Sequence, residues 1–417
     1  MFPMVETARD VREPWLVMFF EMRRRLALLL VVVVAALAAW NYFRPIPAIA
    51  ASASFPSSTT TSGTPPALPW PAGGSAAVGV SGLGFIASSG NEQPVPAASV
   101  TKVMTALLVL EDKPLTKGDT GPSIAITATD VQIYQAALAN KESVVEVRAG
   151  EQLTEFQGLE ALLIPSGNNI AETLANWDSG STSTFVVKMN QRAAALHMTH
   201  TTFADTSGVS PKNLSTPSDL MALGVIAFKQ EVLAQIVGLE QAVLPVAGVV
   251  YNVDYVLGQS GIIGIKTGSG LDLGANFLFA AAAKVDGHTI TLFGCVMAQP
   301  TLDLAFNEAK LLIASMEATL HVKRRVSLNE SVGAYGAPWG SQTELLSTVD
   351  VDLVEWPGMV LRQRLDAPSI VVDKPLPAGT HEGSEHIVLG DYVLDVPLVT
   401  AGALYPPGRA WRLTRLA

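Results

Sequence analysis

The sequence predicts an α+β catalytic unit, an antiparallel sheet with helices, followed by a small all-β domain. Three observations carry this. Two short strand patterns, Ala77-Val-Gly-Val80 and Gly84-Phe-Ile-Ala87, open the folded part, and two longer ones, Asn276–Ala282 and Thr289–Met297, close it. A run of helix patterns lies between these pairs. After about Lys323 the texture changes to short strands and turns, as in Val349–Val354, Ser369–Val372, His386–Leu389 and Tyr392–Leu394.

Composition narrows the function. The chain has 417 residues, of which 49% are apolar and 15% charged, which suits a globular protein of two or three domains. A formal charge of −10 argues against nucleic acid as a partner, because phosphate binding needs a basic face. The single cysteine, Cys295, excludes an internal disulfide framework and a multi-cysteine zinc site. It sits in an apolar strand pattern and reads as a buried thiol.

The elements follow in chain order. Residues 1–25 form an N-terminal segment ending in Arg23-Arg24-Arg25. The apolar run 26–43 is long enough to cross a bilayer, and the arginines place the remainder outside the cytoplasm. A cleaved signal peptide is the competing reading, with Ala-x-Ala at Ala36-Leu-Ala38 and Ala48-Ile-Ala50. Residues 44–74 are rich in Pro, Ser and Thr, as in Ser57-Ser-Thr-Thr-Thr-Ser-Gly-Thr-Pro-Pro66, and predict a disordered tether. Residues 75–321 form the catalytic unit. Within it Val100–Leu110 is apolar almost all round, which marks a buried helix. Leu153–Leu163, Asn169–Trp177, Thr184–Leu196, Ser218–Phe228 and Asn307–Leu320 are further helix patterns, and Asp286-Gly287 marks a hairpin turn between the last two strands. Residues 322–417 form the β domain.

Three short motifs carry the chemistry. Ser99-Val-Thr-Lys102 places a hydroxyl and an amine on one helix face. A serine needs a base, and a lysine is one only when neutral, which the apolar helix favours by burial. The pattern alone is weak, expected about once or twice by chance in a chain of this size. Ser166-Gly-Asn168 sits on a turn between two helix patterns, where its hydroxyl can relay a proton and its amide can hold a carbonyl. A second copy, Ser89-Gly90-Asn91, precedes Ser99 and reads as a plain turn. Lys266-Thr-Gly268 ends the apolar strand pattern that starts at Gly261. An edge strand there can add a peptide as a further strand, with Lys266 and Thr267 for its carboxylate and Gly268 keeping the strand clear of bulk.

This ordered trio resembles the low-molecular-weight D-alanyl-D-alanine carboxypeptidases, peptidase family S11, a group of penicillin-binding proteins. Pro96–Ala106, Leu163–Ala171, Phe185–Asn190, Ser207-Gly-Val209, Ser215–Leu220 and Gly261–Gly268 extend the likeness over about residues 76–320. The resemblance implies a serine β-lactamase/transpeptidase-like fold. It implies that Ser99 attacks the penultimate D-Ala carbonyl, with Lys102 as base and Ser166 and Lys266 assisting proton transfer. Asn168, Thr267, Gly268 and Ser269 would bind substrate, and the N–H groups of Ser99 and Ser269 would form the oxyanion hole. It implies no metal or cofactor, a peptidoglycan stem peptide ending in D-Ala-D-Ala as substrate, and β-lactams as inhibitors. One departure stands out. No arginine occurs between Arg192 and Arg324, where relatives often place one near the carboxylate site.

Two rival readings are a membrane-tethered wall-binding protein with a dead site and a β-lactamase. The latter needs a second carboxylate for deacylation, yet no glutamate lies between Glu172 and Glu231. Asp205 and Asp219 read as turn and helix-cap residues. His197 and His200 read as surface histidines, and Gly268-Ser-Gly270 with Gly274 lacks dinucleotide spacing.

Overall fold

The computed structural model describes residues 14–90, 92–270 and 272–415, so Asn91 of the second Ser-Gly-Asn copy lies outside the described residues. An α+β unit and a β domain are both present.

The α+β unit is built on a five-stranded antiparallel sheet, in the order Ile262–Gly270, Gly274–Val285, His288–Gln299, Ser75–Val80, Gly84–Ser88. The two long strands read as nearly unbroken apolar runs because both faces of the sheet are covered. Along Gly274–Val285, Phe277, Phe279 and Ala281 face Phe306, Leu312 and Met316 of the helix Leu302–Thr319. Leu278 and Ala280 alternate to the other face, against Leu220 and Leu223 of the helix Pro217–Phe228. Cys295 is buried on that side, and burial pushes its thiol up out of the reactive range. The helices start where their caps dictate. Thr154 and Gln157 form a reciprocal capping box ahead of Glu155–Leu163, and Thr301 caps Leu302–Thr319. The helix Ala128–Ala139, absent from the sequence reading, begins with the same device at Thr127 and Asp130.

The K-T-G strand, Ile262–Gly270, lies at the edge of this sheet, with Gly274–Val285 as its one ladder neighbour among the described residues. The helix carrying Lys102, Lys102–Asp112, is buried from Lys102 to Leu110.

The β domain holds a seven-stranded antiparallel sheet. Its order is Ala51–Ala53, Ser331–Gly336, Gln342–Ser347, Tyr392–Thr400, His381–Leu389, Val360–Asp366, Ser58–Thr60. This corrects the expectation of a disordered tether over 44–74. The two edge strands are consecutive in sequence, joined by Ser54–Ser57, a link that spans under about 18 Å. The sheet therefore curls until its edges nearly meet, and the N-terminal segment closes it. Ile49 also bridges Ile370, and Thr61 Oγ1 donates to Trp356 O at 2.6 Å. Ser369–Val372 contributes that single bridge, not the strand its sequence suggested.

Ahead of this segment runs the helix Pro14–Phe43, which extends the expected 26–43 span through the arginines. Its portion Val17–Phe43 is long and apolar enough to cross a membrane. Residues 44–45 follow the helix end, and the short helix Arg409–Thr414 packs against that end.

Candidate active site

Ser99 lies in the single 3-10 turn Ala98–Thr101 that leads into the helix Lys102–Asp112. The residue before it, Ala98, has φ 48°, a left-handed conformation held by its surroundings. Those surroundings are two close backbone approaches. A Cβ on Gly268 would sit 2.9 Å from Ala97 O, 3.0 Å from Val100 N and 3.1 Å from Ser99 N, so the K-T-G strand passes directly against the serine turn. On another side, a Cβ on Gly208 would lie 1.8 Å from Ala98 O, and Gly208 has φ +88°.

One turn on, Lys102 is completely buried. Its Nζ has three partners: Ser99 Oγ at 2.9 Å, Asn168 Oδ1 at 2.6 Å and Ser207 O at 2.8 Å. The last two oxygens can only accept. A neutral amine has two N–H bonds and one lone pair, so the two acceptors consume the N–H bonds. The lone pair is left facing the Ser99 hydroxyl, which donates into it. In the ammonium form the third N–H takes that place, so both protonation states are fully matched. Burial pushes the Lys102 amine well below its ordinary value, and the nearby Lys266 cation adds to this, while Asp205 and Glu142 oppose it.

Asn168 is the first residue of the helix Asn168–Ser179, and its own N–H donates to Ser143 O at 2.8 Å. Ser166 is buried in the preceding turn with φ 67°. Among the described residues it makes no hydrogen bond to Ser99 or Lys102. Ser99, Lys102 and Asn168 are thus joined directly, whereas Ser166 sits in the same loop without that bond. Lys266 is buried, donates to Thr267 O at 3.1 Å, and burial pushes it down to about 8 against the pull of Asp254. Asp254 is itself buried, with its own value pushed up to about 6 by desolvation, and its Oδ2 finds no hydrogen-bond partner among the described residues. Thr267 and Gly268 are buried beside Lys266, and Ser269 is exposed.

Three contributors were not singled out as site residues from sequence. Ser207 acts through its carbonyl, which every residue carries, so its identity holds no signal. Asp205 accepts from the N–H groups of Ser207, Gly208 and Ser210 and so shapes the loop that delivers that carbonyl. Glu142 accepts from Asn168 Nδ2 at 2.9 Å and falls in no motif. The turn reading of Asp205 agrees with its contacts, whereas the cap reading of Asp219 is corrected: Thr216 caps Pro217–Phe228, and Asp219 in its first turn accepts from His200 N and Thr201 Oγ1, tying that segment to the helix.

Comparison with known proteins gives the same family. A D-alanyl-D-alanine endopeptidase of Pseudomonas aeruginosa is 36% identical over 166 residues, 39% of this chain and 50% of its own length. The D-alanyl-D-alanine carboxypeptidase DacB2 of Mycobacterium tuberculosis is 34% identical over 203 residues, 46% of this chain and 65% of its own length. This chain therefore spans half to just under two thirds of those relatives. The crystal structure of the Streptomyces K15 DD-transpeptidase matches at a TM-score of 0.53 and 26% identity, covering 61% of this chain and 99% of that one. The sequence model of the D-alanyl-D-alanine carboxypeptidases, peptidase family S11, matches residues 82–300. That stretch is more than half of the 417 residues and contains the whole constellation of Ser99, Lys102, Asn168 and Lys266, and the chain belongs to this family.

Proposed function

We propose that the protein is a serine-type D-alanyl-D-alanine carboxypeptidase that trims peptidoglycan stem peptides. The observation that carries this reading is the matched set of contacts on Lys102 Nζ, which leaves its lone pair on Ser99. The Ser99 oxygen attacks the penultimate D-Ala carbonyl while its proton passes to Lys102. The C–N bond then breaks, the leaving D-Ala nitrogen takes a proton, and an ester on Ser99 remains. Water adds to that ester with Lys102 again as base, releasing the shortened peptide and regenerating the hydroxyl.

The edge position of Ile262–Gly270 supports the placement of the substrate as an added strand. Lys266 would pair with its terminal carboxylate, the need the absent arginine would otherwise serve. Asn168 retains a second Nδ2–H for a substrate carbonyl. The Ser99 and Ser269 N–H groups are our oxyanion donors, supported by the close passage of the strand at Gly268. Ser166 would relay the proton to the leaving amine. An acyl-enzyme of this kind would serve an endopeptidase, a carboxypeptidase or a transpeptidase reaction, the activities named for the relatives, according to what leaves and what accepts.

We also propose that the N-terminal helix stays attached as a membrane anchor, with the catalytic unit outside the cytoplasm. The support is that the residues after it are built into the β domain rather than hanging free.

The test is acylation by a fluorescent penicillin together with D-Ala release from a peptide ending in D-Ala-D-Ala. The wild type should do both, and Ser99→Ala neither. Labelling without D-Ala release would favour the wall-binding reading. Fast turnover of a chromogenic cephalosporin would favour a β-lactamase.

A further inference from the structure

Glu142 reaches the site from outside every motif. Its Oε2 accepts from Asn168 Nδ2 at 2.9 Å and its Oε1 from Asn140 Nδ2 at 3.2 Å. The strap that carries it is fixed to the start of the Asn168 helix. Asn168 N donates to Ser143 O at 2.8 Å. Asn169 accepts from Val145 N at 3.0 Å and donates to Val145 O at 2.9 Å. Glu142 is therefore held over the Asn168 amide by the fold itself.

The oxygen and nitrogen of a carboxamide have nearly the same shape, so packing alone does not choose between its two orientations. Its partners choose. In the reversed orientation the Asn168 oxygen would face the Glu142 carboxylate, acceptor against acceptor. Its NH2 would face Lys102 Nζ and donate into the lone pair that has to take the Ser99 proton.

We propose that Glu142 is a positioning residue: by accepting from Asn168 Nδ2 it holds Oδ1 on Lys102 and so keeps the amine's lone pair on Ser99. This rests on the acyl-enzyme reading above.

The charge of Glu142 gives the proposal a second readout. The charged groups facing Lys102 are Lys266 from the K-T-G strand, Asp205 from the loop behind the serine turn, and Glu142 from the strap. Glu142 favours the protonated amine. Removing its charge frees the amine at lower pH, whereas losing the amide lock slows the step at every pH. A merely structural residue would do neither to the folded fraction.

The experiment measures the acylation rate of the full chain in detergent with a fluorescent penicillin from pH 5 to 9, for wild type and Glu142→Gln. Glutamine is isosteric but both donates and accepts, so it no longer selects one amide orientation. Rates are normalised to the acylable fraction, so loss of folding does not count. The expected result is a plateau about tenfold lower, as for one misdirected hydrogen bond, with the acid limb moved to lower pH. An unchanged plateau or an unmoved limb in Glu142→Gln overturns the proposal. A wild type that is not acylated sinks the reading of the site itself, whereas an acylated wild type with an unaffected variant sinks only the role of Glu142.

Discussion

In the proposed mechanism Ser99 becomes a nucleophile only through the state of Lys102, and that state sets a pH profile. The Lys102 amine is held well below its ordinary value by burial, and the rate rises as pH carries Lys102 through its titration. Lys266 acts in the opposite sense. In the proposed mechanism it pairs with the substrate carboxylate only while charged, and burial pushes it down to about 8. The kcat/KM for D-Ala release should therefore be bell-shaped, with its alkaline limb near 8. A rate that keeps rising through pH 9 would remove Lys266 from carboxylate binding. At this scale the sequence was most legible where chemistry demands one residue type. Ser99, Lys102, Asn168 and Lys266 were all named from their motifs, and the fold gathers them. Glu142 and the Ser207 carbonyl were not, because one belongs to a strap whose register only the fold defines and the other is backbone.

Between elements, the site depends on how closely the K-T-G strand can approach the serine turn. The atoms a Cβ on Gly268 would meet, Ala97 O, Ser99 N and Val100 N, are all backbone and have no rotamer in which to move aside. Gly268→Ala should therefore push the strand outward, lowering penicillin acylation about a hundredfold at a stability cost of about 1–3 kcal/mol. Stopped-flow acylation with a parallel thermal melt would show this, and a variant acylated at the wild-type rate would refute the close-approach argument. Gly208→Ala should be worse for stability, since its Cβ would overlap Ala98 O and its φ of +88° excludes most side chains. Its melting temperature should fall further than that of Gly268→Ala, and the reverse order would be evidence against it. The buried serine helix and the two long strands were readable from apolar runs alone. The helix Ala128–Ala139 was not, because only Asp130 and Ala137 are buried along it and no apolar stripe forms. Its capping pair at Thr127 and Asp130 was the one signal available.

At the scale of the whole molecule, the segment between helix and catalytic unit is the largest departure from what composition suggested. Ser58, Thr59 and Thr60 leave their side chains exposed and are held by backbone hydrogen bonds to Val360–Arg362, so no apolar alternation marks them as a strand. Such pairing depends on a partner some 300 residues away and is invisible to local pattern. Its consequence is mechanical. Arg415, buried, donates to Asn41 O at 2.6 Å and to Pro45 O at 3.0 Å, tying the chain's last helix to the end of the apolar one. The β domain closes on the same segment, through the pairing of Ala51–Ala53 with Ser331–Gly336 and of Ser58–Thr60 with Val360–Asp366. A fragment of residues 70–417 lacks both edge strands, the Ile49 bridge and the Thr61 contacts, whereas one of residues 45–417 keeps them. The shorter fragment should melt about 5–10 °C lower in its β domain, the loss expected for one or two kcal/mol in a unit of that size. It should still be acylated at the rate of the longer one, because the serine turn and its sheet lie wholly after residue 74. Differential scanning calorimetry of the two fragments decides the matter. Superimposable transitions would mean that the strands at Ala51–Ala53 and Ser58–Thr60 contribute nothing to holding the curled sheet together.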